Sequence, residues 1–159
     1  MTSEPRYLAA GRQTTVDSGM FKLRAESSSL RPLVALVADD ETNNHDLYEA
    51  VLREHGINNI EFAENGQEAL DAARKRRPDI VFLDTNMPMM EGYEACRQLR
   101  ASYGQDLRIV GMSSQSPNQT LWEGVGADHY FDKDVLCGIS RKENLGTHLS
   151  KMFPQYFNK

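Results

Sequence analysis

Polar residues stand at the ends of four short apolar runs of the sequence, where they could act together. They are Asp39, Asp40 and Glu41 after the first run, Asp84 after the third, Ser113 and Ser114 after the fourth, and Lys133 just past the fifth. Two carboxylates held about 4 Å apart repel by roughly 4 kcal/mol at an effective dielectric of 20. A hard dication would relieve this repulsion, and Mg²⁺ is the natural candidate because it takes few carboxylates and keeps several waters. Lys133 would add a positive charge suited to an incoming phosphoryl oxygen.

Each of these residues also has an ordinary structural explanation. Asp39 or Asp40 could cap a helix that begins near Thr42. Asp84 could brace its own loop, and Lys133 could be a solvated surface charge. Their common placement at the ends of apolar runs, rather than any one residue, favours a shared site.

The surrounding sequence predicts the strands that would bring these residues together. From Pro32 onward, short apolar runs alternate with stretches of helical periodicity, which is typical of a parallel sheet wrapped by helices. The runs are Leu33–Ala38, Ile60–Ala63, Ile80–Leu83, Ile109–Met112 and Tyr130–Phe131. We therefore predict a doubly wound α/β fold, with a five-stranded parallel sheet flanked by five helices. Ligands of such folds bind at the carboxyl ends of the strands.

Apolar spacing and helix-end signals agree with this organisation. Leu47, Ala50 and Val51 lie at helical spacing and predict the inward face of the first helix. Ser116-Pro117 is typical of an N-cap followed by proline at the first helical position. Further along, Ser140–Glu143 has the spacing of a capping box. Pro154 is expected to end the last helix and to leave a short tail.

Two segments carry a resemblance to a known family. Asp84–Gly92 is similar to the phosphoacceptor loop of the receiver domains of two-component response regulators, and Gly126–Lys133 resembles their fifth-strand signature. The resemblance extends from Leu33 to about Phe153. It implies a flavodoxin-like receiver fold that accepts a phosphoryl group and signals by changing shape, and therefore a signalling protein rather than an enzyme.

The resemblance also implies a role for each site residue. Asp84 is expected to be the phosphoacceptor. The expected ligands of Mg²⁺ are Asp39, Asp40, Asp84 and the backbone carbonyl of Asn86. The remaining roles are contact with the phosphoryl group by Ser113 and Lys133, a conformational switch formed by Ser113 and Tyr130, and tuning of dephosphorylation by Asn86 and Gln115.

The sequence departs from the family pattern around two of these residues. The family usually has proline after the lysine, often through a cis peptide bond, whereas this chain has Asp134 after Lys133. A cis bond without proline costs about 2.5–4 kcal/mol, so we expect a trans bond and a locally different loop. The segment 134–140 is also longer than usual, and Ser114 replaces the smaller residue that usually follows Ser113.

Composition and charge restrict the other functions. The chain has 159 residues and a formal net charge of −5, which disfavours nucleic-acid binding; its basic run, Arg74–Arg77, is expected to end a helix. Nothing resembles a signal peptide or a membrane span, so a cytoplasmic location is expected.

Residues 1–31 are polar and aperiodic and are predicted to be an arm, flexible or ordered only against a partner or its own domain. Residues 32–159 are predicted to be the receiver domain.

The resemblance implies a sensor histidine kinase or a histidine phosphotransfer protein as the phosphoryl donor. The downstream protein is not identified, and the chain could be a stand-alone regulator, a phosphorelay intermediate or part of a longer protein. A homodimer through the last two helices and the fifth strand is a further expectation.

Two alternative functions stay open. One is a degenerate receiver that only binds protein, and the other is a phosphohydrolase of the haloacid dehalogenase type, although Asn86 stands where that class has its second aspartate.

Overall fold

The computed structural model of the protein describes residues 30–115, 118–139 and 144–157. Within this part of the chain, the residues from Pro32 onward belong to one compact unit. The arm predicted for residues 1–31 lies outside the described residues, except for its last two. The helix-end signals at Ser116-Pro117 and Ser140–Glu143 lie outside them as well.

The described residues form a five-stranded parallel sheet with the strand order β2-β1-β3-β4-β5. The strands are β1 Val34–Ala38, β2 Asn59–Ala63, β3 Ile80–Asp84, β4 Arg108–Ser113 and β5 His129–Asp132. Each strand coincides with a predicted apolar run to within a residue at either end, and the predicted doubly wound sheet is confirmed. The winding reverses between β1 and β3, which is where ligands bind in folds of this kind.

Strand β1, and β3 up to Leu83, are apolar because both faces of the sheet are covered. Every residue of these two strands is buried. On one face Val37 and Phe82 belong to the same buried cluster, and on the other face Leu36 and Leu83 belong to a second one. Successive side chains of a strand point to opposite faces, so a strand buried on both sides carries apolar residues without alternation.

Helices and turns connect the strands and cover the sheet. The helices are α1 His45–Glu54, α2 Gly66–Lys75, α3 Gly92–Tyr103, α4 Gln119–Gly124, α5 Lys133–Leu136, α6 Leu145–Met152 and α7 Pro154–Phe157, with 3₁₀ turns at Thr42–Asn44 and Gly104–Asp106. Asn65, Asn118 and Asn144 are the N-caps of α2, α4 and α6, where each side chain accepts a hydrogen bond from a backbone N–H of the first turn. In the part of the chain that the structure describes, no helix is long and apolar enough to cross a membrane.

The inward face of α1 differs from the predicted one. Leu47 and Ala50 are exposed, whereas Tyr48 and Leu52 are fully buried. The prediction was wrong for Leu47 and Ala50, whereas Val51 is half-buried and packs against the core. A tyrosine ring packs in a core when its hydroxyl finds a buried partner.

Short helices α5 and α7 add to the five helices that were predicted. Helix α5 begins at Lys133, directly after β5, because the Asp132 side chain accepts a hydrogen bond of 3.0 Å from the backbone N–H of Asp134. The peptide bond from Lys133 to Asp134 is trans, as expected. Pro154 follows the end of α6, as predicted, but it also begins α7, so part of the predicted tail is helical.

Candidate metal centre

The predicted site residues meet at the carboxyl edge of the sheet. Asp84 is the last residue of β3, Ser113 is the last residue of β4, and Lys133 follows β5 directly. Asp39 and Asp40 follow β1, which lies next to β3. The residues meet because the strands are parallel and therefore end at the same edge.

Three carboxyl groups form a cluster at this edge. One oxygen each of Asp39, Asp40 and Asp84 lie within 4.8 Å of one another, and the described residues contain no other such group of three. Asp39 and Asp84 are 0% and 5% exposed, whereas Asp40 is an exposed residue. Carboxylates that are buried on one side and open to solvent on the other suit a cation that keeps part of its water.

Lys133 bridges two of these carboxylates. Its Nζ lies 3.0 Å from Asp84 Oδ2 and 3.0 Å from Asp39 Oδ2. Burial alone would lower the pKa of this ammonium group, but its hydrogen bonds to Asp84 and Asp39 raise the pKa above its ordinary value. Lys133 is therefore a buried cation within the cluster and not a solvated surface charge.

The charges around Asp84 do not balance. Burial raises the pKa of Asp84 to about 6, Lys133 opposes this rise, and the Asp39 and Asp40 carboxylates add to it. Burial and neighbouring like charges both disfavour an ionised carboxylate, so the direction of the shift is the expected one. The site lacks positive charge, and a dication would supply it.

Two residues of α1 contact Asp39, and sequence reasoning missed both of them. The Tyr48 hydroxyl donates a hydrogen bond to Asp39 Oδ2, and His45 Nε2 lies 2.9 Å from the Asp39 backbone carbonyl. The His45 ring also stacks on Phe62, with ring centroids 4.5 Å apart. His45 and Tyr48 are three residues apart, so they lie on one face of the helix that follows the acidic pair. This spacing is the signal that could have indicated them.

Backbone contacts hold the loop that follows Asp84. The hydroxyl and the backbone N–H of Thr85 both donate to the Met112 carbonyl, at 2.7 and 2.9 Å. At the start of α3, Gly92 lies so close that a Cβ there would collide with the Asp84 carbonyl oxygen. Asn86 is exposed in this loop, two residues after Asp84. The loop is therefore anchored to β4 and α3 while Asn86 remains open to solvent.

The predicted switch residues, Ser113 and Tyr130, lie on β4 and β5, and the tuning residue Gln115 follows β4. Ser113 is buried, and its Oγ accepts a hydrogen bond of 3.2 Å from the backbone N–H of Gln115, which is exposed. Tyr130 is half-buried and pairs in register with Gly111, two residues before Ser113. Ser113 therefore lies at the edge that carries the cluster, whereas Tyr130 lies further back on the neighbouring strand.

Comparison with known proteins decides the family. A model of the response regulator receiver domain matches residues 35–137, a range that includes the acidic cluster and Lys133. The chain belongs to this family. The response regulator MprA of Mycolicibacterium vanbaalenii is 38% identical to this receiver domain over 104 residues, which are 64% of this chain and 44% of MprA. The DNA-binding response regulator MtrA of Mycobacterium leprae is 35% identical over 98 residues, 62% of this chain and 43% of MtrA. The chain thus spans less than half the length of the curated relatives it matches.

Solved structures of response regulators share the fold of this receiver domain. The chemotaxis response regulator CheY4 of Vibrio cholerae has a TM-score of 0.61 and 23% identity, and the match covers 79% of this chain and 99% of that one. The response regulator domain of CheB from Thermotoga maritima has a TM-score of 0.62 and 20% identity, covering 81% and 98%. Both agree with the five-stranded parallel sheet.

The residues of this receiver domain fit a magnesium ion. The cluster offers only carboxylate oxygens, which are the ligands that Mg²⁺ prefers. The contact of Asp84 with Lys133 uses Oδ2, and no described residue donates to Oδ1 of Asp84 or to the Asp40 carboxylate. These oxygens are available to a cation, and the raised pKa of Asp84 indicates that the site lacks positive charge.

Proposed function

We propose that this receiver domain accepts a phosphoryl group on Asp84, with Mg²⁺ bound beside it. The observation that supports this most is the clustering of Asp39, Asp40 and Asp84 within 4.8 Å, with Lys133 Nζ 3.0 Å from Asp84 Oδ2. A carboxylate attacks phosphorus readily only when positive charge faces the phosphoryl oxygens. Lys133 and the metal would together supply that charge.

The reaction transfers the phosphoryl group between two nucleophiles. A carboxylate oxygen of Asp84 forms a bond to phosphorus while the P–N bond to the donor imidazole breaks, and the imidazole takes a proton from water. Lys133 binds one phosphoryl oxygen, and the Ser113 hydroxyl donates to another. Positioning and charge neutralisation carry the reaction, so no acid or base beyond these groups is required.

When bound, magnesium would supply positive charge to the phosphoryl oxygens in this scheme. Its proposed ligands are Asp39, Asp40, Asp84 and the backbone carbonyl of Asn86. The side chains of Asn86 and Gln115, which are both exposed, are proposed to tune hydrolysis of the acyl phosphate. Ser113 and Tyr130 are proposed to form the switch that reports phosphorylation.

The proposed phosphoryl donor is a sensor histidine kinase or a histidine phosphotransfer protein, and family membership supports this. The output is a change of shape that a downstream protein recognises, so we propose a signalling protein rather than an enzyme. Both cysteines are free thiols, which fits the cytoplasmic location proposed here. Residues 1–31 are proposed as an arm beside the receiver domain of residues 32–159.

A homodimer through α4, β5 and α6 is a further proposal. Leu121 of α4 is 50% exposed and would be covered in such a dimer. This assembly stays a prediction.

Phosphorylation by acetyl phosphate tests the proposed function. With Mg²⁺ the intact protein should gain the mass of one phosphoryl group, and with EDTA it should not. Asp84→Asn should abolish the gain, because an amide does not replace the carboxylate nucleophile. Asp106→Asn is the matched control, since Asp106 is an exposed carboxylate before β4, at the opposite edge of the sheet. A gain that persists in EDTA or in Asp84→Asn would overturn the proposal, and no gain in the parent would favour the degenerate receiver.

A further inference from the structure

We propose that Tyr48 is a positioning residue of the acidic site: it holds Asp39 through a hydrogen bond and thereby weakens the binding of Mg²⁺. The inference rests on the proposed magnesium site and adds a residue that regulates its affinity. Tyr48 belongs to α1 and does not itself reach the open mouth of the cluster, because its side chain is fully buried.

Asp39 receives hydrogen bonds on both carboxylate oxygens. Oδ1 accepts from the Glu41 backbone N–H at 2.9 Å and from Lys133 Nζ at 3.2 Å. Oδ2 accepts from the Tyr48 hydroxyl and forms an ion pair with Lys133 Nζ at 3.0 Å. An ionised carboxylate offers about four lone-pair sites. Three of these sites accept hydrogen bonds, so each oxygen of Asp39 already has a donor.

The burial of Tyr48 makes its hydrogen bond persistent. Its ring is 0% exposed and lies in the same core cluster as Leu52 and Leu136. Asp39 is the acceptor of its hydroxyl, and the Cys137 thiol that interacts with the same hydroxyl is only a weak acceptor. A buried hydroxyl that loses its acceptor destabilises the fold by its full desolvation free energy. Tyr48 therefore opposes any movement of Asp39 away from it.

The other two carboxylates are free of this restraint. Asp40 is exposed and receives no hydrogen bond from a described residue, and Asp84 binds Lys133 through Oδ2 alone. Both can bind a cation through an oxygen to which no described residue donates, whereas each oxygen of Asp39 already accepts a hydrogen bond. Lys133 can turn toward a phosphoryl group, but the core holds Tyr48 in place. Tyr48 is therefore the donor that limits how far Asp39 contributes to the metal site.

Removal of the Tyr48 hydroxyl should tighten magnesium binding. In Tyr48→Phe the ring still fills the core, while one lone pair of Asp39 becomes available to the cation or to its water. We expect the Kd for Mg²⁺ to fall about three- to tenfold, the scale of one charge-assisted hydrogen bond that is partly replaced by water. A merely structural role would give the opposite sign, because a loosened site binds metal more weakly.

Magnesium titration by calorimetry, combined with a double-mutant cycle, tests the inference. Tyr48→Phe should lower the Kd in the parent and leave it unchanged in an Asp39→Asn background, because the two groups act through one bond. Tyr103→Phe is the matched control: this half-buried tyrosine ends α3, at the opposite edge of the sheet, and its change should leave the Kd as in the parent. Tyr48→Met, which also lacks the hydroxyl but fills space, should reproduce the tightening if Tyr48→Phe folds poorly.

The outcomes separate this inference from the proposed function. An unchanged or higher Kd in Tyr48→Phe and Tyr48→Met overturns the inference, as does an equal gain in the Asp39→Asn background. Absence of magnesium binding in the parent, or an unchanged Kd in Asp40→Asn, overturns the proposed metal site itself.

Discussion

Asp84 lies among groups that act on its pKa in opposite directions. Burial and the Asp39 and Asp40 carboxylates raise it, Lys133 lowers it, and the result is about 6 against an ordinary value of 3.8. Without metal, the folded protein therefore binds a proton between about pH 4 and pH 6 that the unfolded chain does not bind. The stability that this group contributes is present at low pH and is lost as the pH rises through about 6. A cation in the site competes with that proton.

We predict that magnesium binding weakens below pH 6 for this reason. Between pH 7 and pH 5 the Kd for Mg²⁺ should rise about tenfold, because one proton must leave Asp84 when the metal binds. Calorimetric titrations at the two pH values measure the change, and Asp84→Asn should remove most of it. A Kd of the parent that is the same at both pH values would contradict a raised pKa at Asp84.

The sequence predicts those residues of the site that lie at the ends of strands. Asp84 and Lys133 stand next to apolar runs, and parallel strands bring such positions to one edge whatever the details of packing. Tyr48 could not be found in this way, because its role depends on a ring that crosses the core to reach Asp39. The apolar spacing of Leu47 and Ala50 favoured a neighbouring face of α1, since a tyrosine with a buried acceptor does not differ in sequence from an exposed one.

At the scale of the elements, Trp122 of α4 lies where β4 and α3 meet. Its indole is fully buried against β4, and a Cβ at Gly111 would collide with it. A Cβ at Gly92 would lie 3.0 Å from the same indole, beside the backbone carbonyl of Asp84. Tyr93 packs on it with ring centroids 4.5 Å apart. A shift of β4 or of the loop after Asp84 should therefore change the surroundings of Trp122.

We predict that beryllium fluoride with Mg²⁺, which mimics the phosphoryl group, alters Trp122 fluorescence. The Ser113 hydroxyl should turn toward the ligand and vacate space that the Tyr130 ring fills, so the ligand biases a two-state element. Ser113→Ala should strongly reduce the fluorescence change while magnesium still binds. The neighbouring exposed Ser114 provides the control, because Ser114→Ala should respond as the parent does. An undiminished response of Ser113→Ala would show that the hydroxyl is not the link.

Strands could be predicted more closely than helix ends. An apolar run bounded by polar residues fixes a buried strand to within a residue, as for β3. Helix ends depend on which of several neighbouring polar side chains caps the first turn. The N-cap of α6 is Asn144, which follows directly after the capping box expected from sequence. In the same way, the Asp132 cap that begins α5 at Lys133 could not be distinguished from an ordinary end of β5.

At the scale of the whole domain, the two edges of the sheet differ in how completely their charges are paired. At the amino edge, Arg100 donates to the carbonyl oxygens of Leu107 and Gly126, at 2.8 Å each, and pairs with Asp128 at 2.8 Å. Asp128 also accepts a hydrogen bond of 2.7 Å from the Ile109 backbone N–H. A satisfied network of this kind rigidifies the structure around it. At the carboxyl edge, by contrast, the carboxylates of Asp39, Asp40 and Asp84 outnumber the Lys133 ammonium that contacts them.

The basic run Arg74–Arg77 fits the helix-end interpretation. It includes the last turn of α2, where cations complement the helix dipole. Its arginines pair with acidic neighbours, which are Asp71, Glu61 and Asp106. The absence of nucleic-acid binding stays a prediction for this domain.

Phosphorylation of Asp84 itself, rather than of a neighbouring carboxylate, is tested most directly by locating the label. After reaction with acetyl phosphate and Mg²⁺, borohydride reduces the acyl phosphate, and peptide mass spectrometry identifies the converted residue. We predict conversion at Asp84 alone. Its carboxylate is buried and contacts Lys133 through Oδ2, while no described residue donates a hydrogen bond to its Oδ1. Conversion at Asp39, at Asp40 or at any residue outside the cluster would contradict the proposed phosphoacceptor.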